Sequence, residues 1–318
     1  MRTLLSCVSP AFFSTDSGES ICLPNRFGHG VYFASDSTKS AQKEYTRGST
    51  MLLLCKVLLG RSLTLTKADN HIDKTSIRKR GYDSVFAPAG SQVLFDEYIV
   101  YDSRQCVPAF VIHFSASLNN VPTSLSSASG GMTRTELFPS RDFDDRDANQ
   151  GHFRVVESQY LRMMGGGARK LTKVVFVVNP KLVRDFDGQR EAFENRGIPS
   201  NVILAFHSSK QKSNLDSIVE TNFDLSRIGS QSDSGYWGRG FYFSEFPATS
   251  AGYGDQKHML MCRLLPGKAF DVTQRCDGKP LEHGFNSHRL QKDDRGCGQE
   301  LVIDNPKQIL PCYILHLE

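Results

Sequence analysis

The sequence predicts an α+β fold with more strand than helix, which occurs about one and a half times along the chain. Two observations carry this prediction. Short strand-like apolar runs outnumber segments with helical periodicity, and a set of sequence blocks occurs twice in the same order. A chain of 318 residues with 39% hydrophobic residues is also long enough for two separately packed domains.

The repeat consists of four blocks with small differences in loop length between them. The offset between copies falls from 210 to 203 along the chain: 28–34 with 238–244, 51–60 with 258–267, 81–84 with 284–287, and 96–114 with 299–317. Four blocks in one order are not a chance similarity. We therefore predict an incomplete first copy at 1–118, a flexible polar linker at 119–149 and a complete second copy at 150–318.

In the second copy, the strand-like elements can be placed in order. Apolar runs predict strands at 171–180 and 202–206, the second of which ends at His207. Ser213 and Asn214 predict the cap of a short amphipathic helix. Further strands are predicted at 259–265, 300–303 and 309–317.

Several functional classes are excluded by the pattern. Eight scattered cysteines, without a C-x-x-C pair, argue against a zinc site or a disulfide framework. The glycine motifs of dinucleotide-binding folds and of P-loops are missing. No apolar run is long enough to span a membrane, and Ser6, Ser9 and Pro10 interrupt the only candidate signal-peptide segment. We expect an intracellular protein, in the nucleus or cytoplasm, without a metal or membrane.

Polar residues at strand edges remain as candidates for chemistry: His207, Ser208, Ser209, Tyr242, Ser250, Tyr253 and Glu300. Each has an ordinary structural interpretation. A histidine after a buried strand is commonly a hydrogen-bonded structural residue, a strand tyrosine packs in a core, and a glutamate usually lies in solvent. It is their order along the chain that favours a functional site.

In that order, the motifs F-H-S-S-K, G-R-G-F-Y-F-S-E, S-A-G-Y and Q-E-L-V-I resemble those of the poly(ADP-ribose) polymerase family, the diphtheria-toxin-like ADP-ribosyltransferases. The resemblance covers roughly 150–318. It implies split antiparallel sheets of the ADP-ribosyltransferase type, in tandem. It also implies that NAD+ is the substrate, that no metal takes part and that proteins are the acceptors.

The resemblance also implies a role for each candidate residue. His207 would bind the adenosine-side ribose, and Ser208 and Ser209 would lie against the nicotinamide carboxamide with help from Ser250. Tyr253 would stack on the nicotinamide ring, and Tyr242 would flank the pocket. Glu300 would be the catalytic carboxylate, together with His207 and Tyr242, because it can stabilise the positive charge on ribose as nicotinamide leaves. Where the family has glycine after the histidine, this chain has Ser208.

The first copy retains Tyr32, Ser40, Tyr45 and Glu97 but has no histidine other than His29 near the motif. We expect the strand equivalent to 202–207 to be missing from it, through a truncated gene model or through decay of the domain. We therefore expect no NAD+ turnover by residues 1–118, and a sheet edge there that needs covering by the N-terminal residues or the second domain.

Two function classes stay open. The first is an enzyme that transfers ADP-ribose from NAD+ to protein acceptors or to a growing ADP-ribose chain. The alternative is a catalytically weak module that binds NAD+ or ADP-ribose as a scaffold. Direct nucleic-acid binding is disfavoured, because the 38 basic and 34 acidic residues nearly balance and no basic run is interleaved with aromatic residues.

Overall fold

The computed structural model describes residues 2–7, 26–46, 49–93, 95–114, 131–139, 148–164, 168–228, 235–290 and 299–318. The chain divides into two compact units, Met1–Ala116 (unit 1) and Ser117–Glu318 (unit 2). Both units combine helices with mainly antiparallel sheets, so the predicted α+β class is confirmed. Most of the predicted linker lies outside the described residues. In the described ranges, no helix is long and apolar enough to cross a membrane.

Unit 1 is built around one sheet. Its strands are β1 Arg2–Cys7, β2 Val31–Ala34, β3 Met51–Val57, β4 Ser62–Thr64, β5 Ser84–Ala87, β6 Glu97–Val100 and β7 Cys106–His113. Its helices are α1 Ser37–Ser40, α2 Lys43–Thr46 and α3 Lys74–Lys79. The strand order is β4-β5-β6-β2-β1-β3-β7, and only the β4–β5 pair is parallel.

Unit 2 contains two sheets. Its strands are β8 Thr133–Leu137, β9 Leu171–Val178, β10 Ile203–His207, β11 Phe241–Phe243, β12 His258–Leu264, β13 Ala269–Val272, β14 Ser287–Leu290, β15 Glu300–Ile303 and β16 Ile309–Leu317. Its helices are α4 Ala148–Met164, α5 Pro180–Asn195, α6 Lys212–Thr221 and α7 Pro247–Ala251. One sheet has the order β10-β12-β16-β9-β8 and the other β11-β15-β14-β13.

The two units share one strand order. The unit 1 sheet corresponds, strand by strand, to β13-β14-β15-β11 followed by β10-β12-β16. Where the unit 2 sheets meet, Phe206 and Ser244 form an isolated antiparallel bridge, with backbone N–O distances of 2.7 and 3.1 Å. The equivalent contact in unit 1 pairs Leu5 with Ala34. β8 and β9 are the strands of unit 2 that have no counterpart among the described strands of unit 1.

A shared irregularity supports this correspondence. In unit 2 the register between β12 and β16 shifts after Met261, where Cys262 faces Pro311. In unit 1 the register between β3 and β7 shifts in the same way, where Cys55 faces Pro108. Proline has no N–H to donate to a ladder, so a bulge accommodates it in a strand.

The prediction that unit 1 lacks the strand equivalent to 202–207 is wrong. β1 pairs with β3 so that Ser6 faces Leu53, whereas in unit 2 His207 faces Leu260. Leu53 and Leu260 are equivalent in the repeat, so Ser6 stands at the position of His207. The strand escaped sequence matching because strand pairing depends on backbone hydrogen bonds, and no shared motif marks this segment.

Two smaller expectations are also corrected. Part of the predicted linker, Thr133–Leu137, forms the edge strand β8, which alternating threonines and a buried Leu137 favour. Helix α6 begins at Lys212 with Gln211 as its N-cap residue and no side-chain cap. Asn214 instead donates a hydrogen bond to the hydroxyl of Ser209.

The core of unit 2 lies between its sheets and helices. Strand β16 is almost entirely buried, as expected for an unbroken apolar run, and packs against α5 and α6. Strand β7 of unit 1, its counterpart, is mostly exposed. The difference follows from β9, which pairs with the outer edge of β16, while no described strand pairs with that edge of β7.

Candidate active site

His207 lies at the end of β10 with its ring against aromatic side chains. Its Nδ1 is 2.9 Å from the backbone oxygen of Tyr242, and its ring centroid is 5.0 Å from that of Phe223 and 5.6 Å from that of Phe243. A carbonyl oxygen only accepts, so Nδ1 carries the proton. The hydrogen bond therefore holds the imidazole in one orientation and leaves Nε2 as the acceptor nitrogen.

The surroundings of His207 keep its ring neutral. Burial lowers the pKa of His207, and the hydrogen bond to Tyr242 offsets this only in part. At neutral pH the Nε2 atom thus has an available lone pair. Such an atom is suited to accept a hydrogen bond from a sugar hydroxyl.

Tyr242 closes the glycine-rich loop that precedes it. Its hydroxyl donates to the backbone oxygen of Gly238 at 2.7 Å and accepts from the backbone N–H of Trp237 at 3.0 Å. Tyr32 does the same in unit 1, with the oxygen of Gly28 and the N–H of Phe27, both at 3.0 Å. Tyr242 therefore positions the loop through its hydroxyl and His207 through its carbonyl.

Ser208 and Ser209 follow His207 and are both buried. The Ser209 hydroxyl accepts a hydrogen bond from Asn214 Nδ2 at 2.9 Å. The Ser208 hydroxyl is buried without a hydrogen-bond partner. Positive φ values among described non-glycine residues occur only at Asn222 and Gln256, so Ser208 has a backbone conformation open to any residue.

Ser250 and Tyr253 lie on and just after α7. The buried hydroxyl of Ser250 donates to the backbone oxygen of Phe206 at 2.8 Å. Because the hydroxyl hydrogen of Ser250 is donated to Phe206, this hydroxyl can only accept a hydrogen bond from a ligand. Tyr253 is 47% exposed, so a ligand can reach it from solvent. Its N–H donates to the oxygen of Ser250, which holds the turn compact.

Glu300 is the first residue of β15 and is buried, with 6% of its surface exposed. Strand β15 pairs with β11, with Leu301 facing Phe243. The hydroxyl of Ser244, the residue after β11, donates to the backbone oxygen of Gln299 at 2.6 Å. The start of β15 is thereby tied to the same bridge that holds Phe206.

These contacts bring the predicted residues into one region from four elements. Ser250 binds Phe206, Phe206 bridges Ser244, and Ser244 binds the residue before Glu300. The sequence motifs did not predict a role for Ser244. The two copies differ at this position, because the first copy has Ala34 there and alanine cannot make the side-chain hydrogen bond. This difference was the available signal for Ser244.

In unit 1 the equivalent of Glu300 is Glu97, which is paired with a cation. Lys39 Nζ lies 2.8 Å from Glu97 Oε1 and 2.6 Å from the hydroxyl of Tyr45. Burial acts to lower the pKa of Lys39, but Tyr45 and Glu97 outweigh it and the pKa is raised. The repeat places Thr249 at the position of Lys39, so the residue at this position of unit 2 is not a lysine.

The side chains of this region also bear on metal binding. Among the residues that the structure describes, no group of three or more His, Cys, Asp or Glu side chains is arranged to hold a metal ion. The polar groups of the site are an imidazole, hydroxyls, a carboxylate and backbone amides. These groups suit hydrogen bonding to a nucleotide.

Comparison with known proteins gives a partial match. The family model of the poly(ADP-ribose) polymerase catalytic domain matches residues 18–92. Poly [ADP-ribose] polymerase 2 of Zea mays is 34% identical over 27% of this chain and 18% of its own length. Protein mono-ADP-ribosyltransferase PARP4 of Homo sapiens is 32% identical over 28% of this chain and 5% of its own length. The chain thus spans less than a fifth of these relatives.

The fold and the site define a mixed α+β protein with several antiparallel sheets, consistent with a poly(ADP-ribose) polymerase catalytic fold. The chain is thus similar to the poly(ADP-ribose) polymerase catalytic-domain family over part of its length, which includes residues 18–92. The family match lies within unit 1, which has Ser6 in the register of the histidine. Unit 2 is similar to unit 1 in its repeated sequence blocks and in its strand order.

Proposed function

We propose that unit 2 binds NAD+, breaks the bond between nicotinamide and ribose, and transfers ADP-ribose to a protein acceptor or to a growing ADP-ribose chain. We also infer that the two units are tandem copies of one catalytic fold. The observation that carries the functional proposal is the linkage of His207, Ser250 and the start of β15 around the Phe206–Ser244 bridge.

Each group has a role that its surroundings support. The neutral Nε2 of His207 accepts from a ribose hydroxyl, and the backbone of Ser208 holds the carboxamide. Ser250, whose hydrogen is donated to Phe206, accepts from the carboxamide N–H. The exposed ring of Tyr253 stacks on nicotinamide, a contact worth about 1 to 3 kcal/mol by analogy with base stacking.

Glu300 supplies the negative charge for the reaction. The bond from ribose C1 to the nicotinamide nitrogen breaks, and nicotinamide leaves as a neutral molecule with the electron pair. The positive charge that develops on the ribose is stabilised by the buried carboxylate. The acceptor then forms a bond to C1 and loses its proton, so the overall step needs no metal and no redox partner.

The second candidate is a module that binds NAD+ or ADP-ribose without effective turnover. Unit 1 favours this binding module, since Ser6 stands at the position of His207 and Lys39 forms an ion pair with Glu97. We propose that unit 1 has no NAD+ turnover of its own. The role of unit 1 is then structural or ligand-binding.

The test is nicotinamide release and label transfer from NAD+ by the full chain, compared with Glu300→Gln and His207→Ala. Glu97→Gln is the matched control at the equivalent position of unit 1. We expect Glu300→Gln to lower release by about 100-fold or more with NAD+ binding retained, and His207→Ala to weaken binding. Glu97→Gln should leave release unchanged.

Each other outcome has a distinct meaning. Loss of release in Glu97→Gln but not in Glu300→Gln would move the catalytic site to unit 1. NAD+ binding without release by the unaltered chain would favour the binding module. The size of the labelled product separates single transfer from polymer formation.

A further inference from the structure

The side chain of Ser208 needs space beside the end of β10. It replaces the glycine that the family has after the histidine, and its side chain is buried with an unpartnered hydroxyl. An unpaired buried hydroxyl is unfavourable, because it has lost its hydrogen bonds to water. The oxygen is also inaccessible, so a ligand cannot reach it without movement of the side chain. The side chain must therefore be accommodated by the protein itself.

Gly254 is the residue that accommodates it. A Cβ atom at position 254 would lie 2.6 Å from the Cβ of Ser208 and 3.3 Å from its hydroxyl oxygen. Real Cβ atoms do not approach so closely. Gly254 has no positive φ, so its backbone would permit another residue. The side chain at 208, and not backbone conformation, requires glycine at 254.

The turn that carries Gly254 is held against the end of β10 on both sides. Asp255 N donates to the oxygen of Ser209 at 3.2 Å, and Tyr253 N donates to the oxygen of Ser250 at 3.1 Å. Ser250 in turn donates to Phe206. A side chain at 254 would push the turn away from β10 and carry Tyr253 with it.

We propose that Ser208 and Gly254 form a compensating steric pair, and that Gly254 is a positioning residue that sets the place of Tyr253 relative to the end of β10. This rests on the function proposed above. The pair keeps the nicotinamide side of the site open although serine stands where the family has glycine. Ser208 contributes to ligand binding through its backbone, and its hydroxyl does not contact the ligand.

The test is a set of substitutions in the full chain with two readouts, the melting temperature and the affinity for NAD+ measured by calorimetry. The variants are Gly254→Ala, Ser208→Gly and Ser208→Ala, alone and with Gly254→Ala. Gly252→Ala is the matched control, because Gly252 is exposed in the same turn and a Cβ there meets only Thr249 O at 3.4 Å.

We expect Gly254→Ala to lower the melting temperature by about 3 °C or more and to weaken NAD+ binding at least about tenfold. Ser208→Gly in the same chain should restore both readouts. Ser208→Ala should not restore them, because its Cβ remains. Gly252→Ala should leave both readouts unchanged.

Three outcomes would overturn the proposal in different ways. Additive effects of Gly254→Ala and Ser208→Gly on the melting temperature would show that the two residues are not a steric pair. If the effects of the two substitutions on the melting temperature are not additive but Gly254→Ala leaves the NAD+ affinity unaltered, the positioning role is rejected. Absence of NAD+ binding in every chain would reject the proposed function and the positioning role together, while the melting temperatures would still decide whether the pair exists.

Discussion

The hydroxyl of Tyr242 donates to the backbone oxygen of Gly238 at 2.7 Å, and unit 1 repeats this contact between Tyr32 and Gly28 at 3.0 Å. In both units the same hydroxyl also accepts from the N–H of the residue before the glycine. The conserved feature of the two copies is thus a closed loop leading into a strand. The tyrosine that we predicted as catalytic has at least this structural role.

Substitution of this tyrosine tests its structural role. Tyr242→Phe leaves the Trp237 N–H and the Gly238 oxygen without their partner, so we expect a loss of about 1 to 3 kcal/mol in the free energy of unfolding. NAD+ affinity should fall because the loop and the carbonyl that orients His207 shift together. Urea unfolding and calorimetry measure the two effects. Tyr32→Phe is the control, which should reduce stability but not NAD+ affinity.

The ion pair in unit 1 gives a second prediction. Lys39 and Glu97 are 2.8 Å apart with side-chain exposures of 17% and 9%. Lys39→Met leaves a buried carboxylate without its cation, which should cost about 3 to 5 kcal/mol. The double variant Lys39→Met, Glu97→Gln should recover most of this loss. Additive losses, measured by urea unfolding, would contradict the pairing.

The histidines of unit 2 predict acid sensitivity. Burial lowers the pKa of His316 to about 4, with help from the neighbouring Lys173, His258 and Lys212, and burial also lowers the pKa of His207. Between their ordinary value near 6.5 and the lowered values, the unfolded chain binds more protons than the folded one. The contribution of these neutral histidines to the free energy of unfolding is therefore fully present above pH 6.5 and is lost as the pH falls toward 4.

The measurement is the melting temperature between pH 7.5 and 4. His316→Asn should flatten the profile in part, because one of the neutral histidines is then absent. His283→Asn, at an exposed position, should leave the profile unchanged. A melting temperature of the unaltered chain that stays constant over this range would exclude a contribution from these buried histidines.

Equivalent positions in β7 and β16 predict opposite sensitivity. Phe110 is 65% exposed, whereas Tyr313 is 3% exposed and its hydroxyl lies 2.8 Å from His152 Nδ1. Tyr313→Ala should cost about 3 to 5 kcal/mol, while Phe110→Ala should change stability by less than about 0.5 kcal/mol. Urea unfolding measures both. A large loss for Phe110→Ala would mean that β7 is covered in solution.

Strands made mainly of apolar residues could be predicted from the sequence. Glu300–Ile303 and Ile309–Leu317 were predicted with the bounds that the structure has. Such runs are buried on both faces, so burial alone specifies them. The helix cap at Ser213 was predicted wrongly, because Asn214 makes a tertiary contact with Ser209 instead. The propensity of a residue to cap was overridden by a partner that lies outside the helix.

By itself, the sequence predicted that the chain repeats one unit, and it showed which motifs mark the repeat and which residue types stand at the proposed site. Only the tertiary structure decided that Arg2–Cys7 is the counterpart of β10, and that Gly254 makes room for Ser208. Motifs record side-chain chemistry along the chain. Strand pairing and steric fit arise between segments far apart in sequence, through backbone hydrogen bonds and excluded volume, which single positions do not encode.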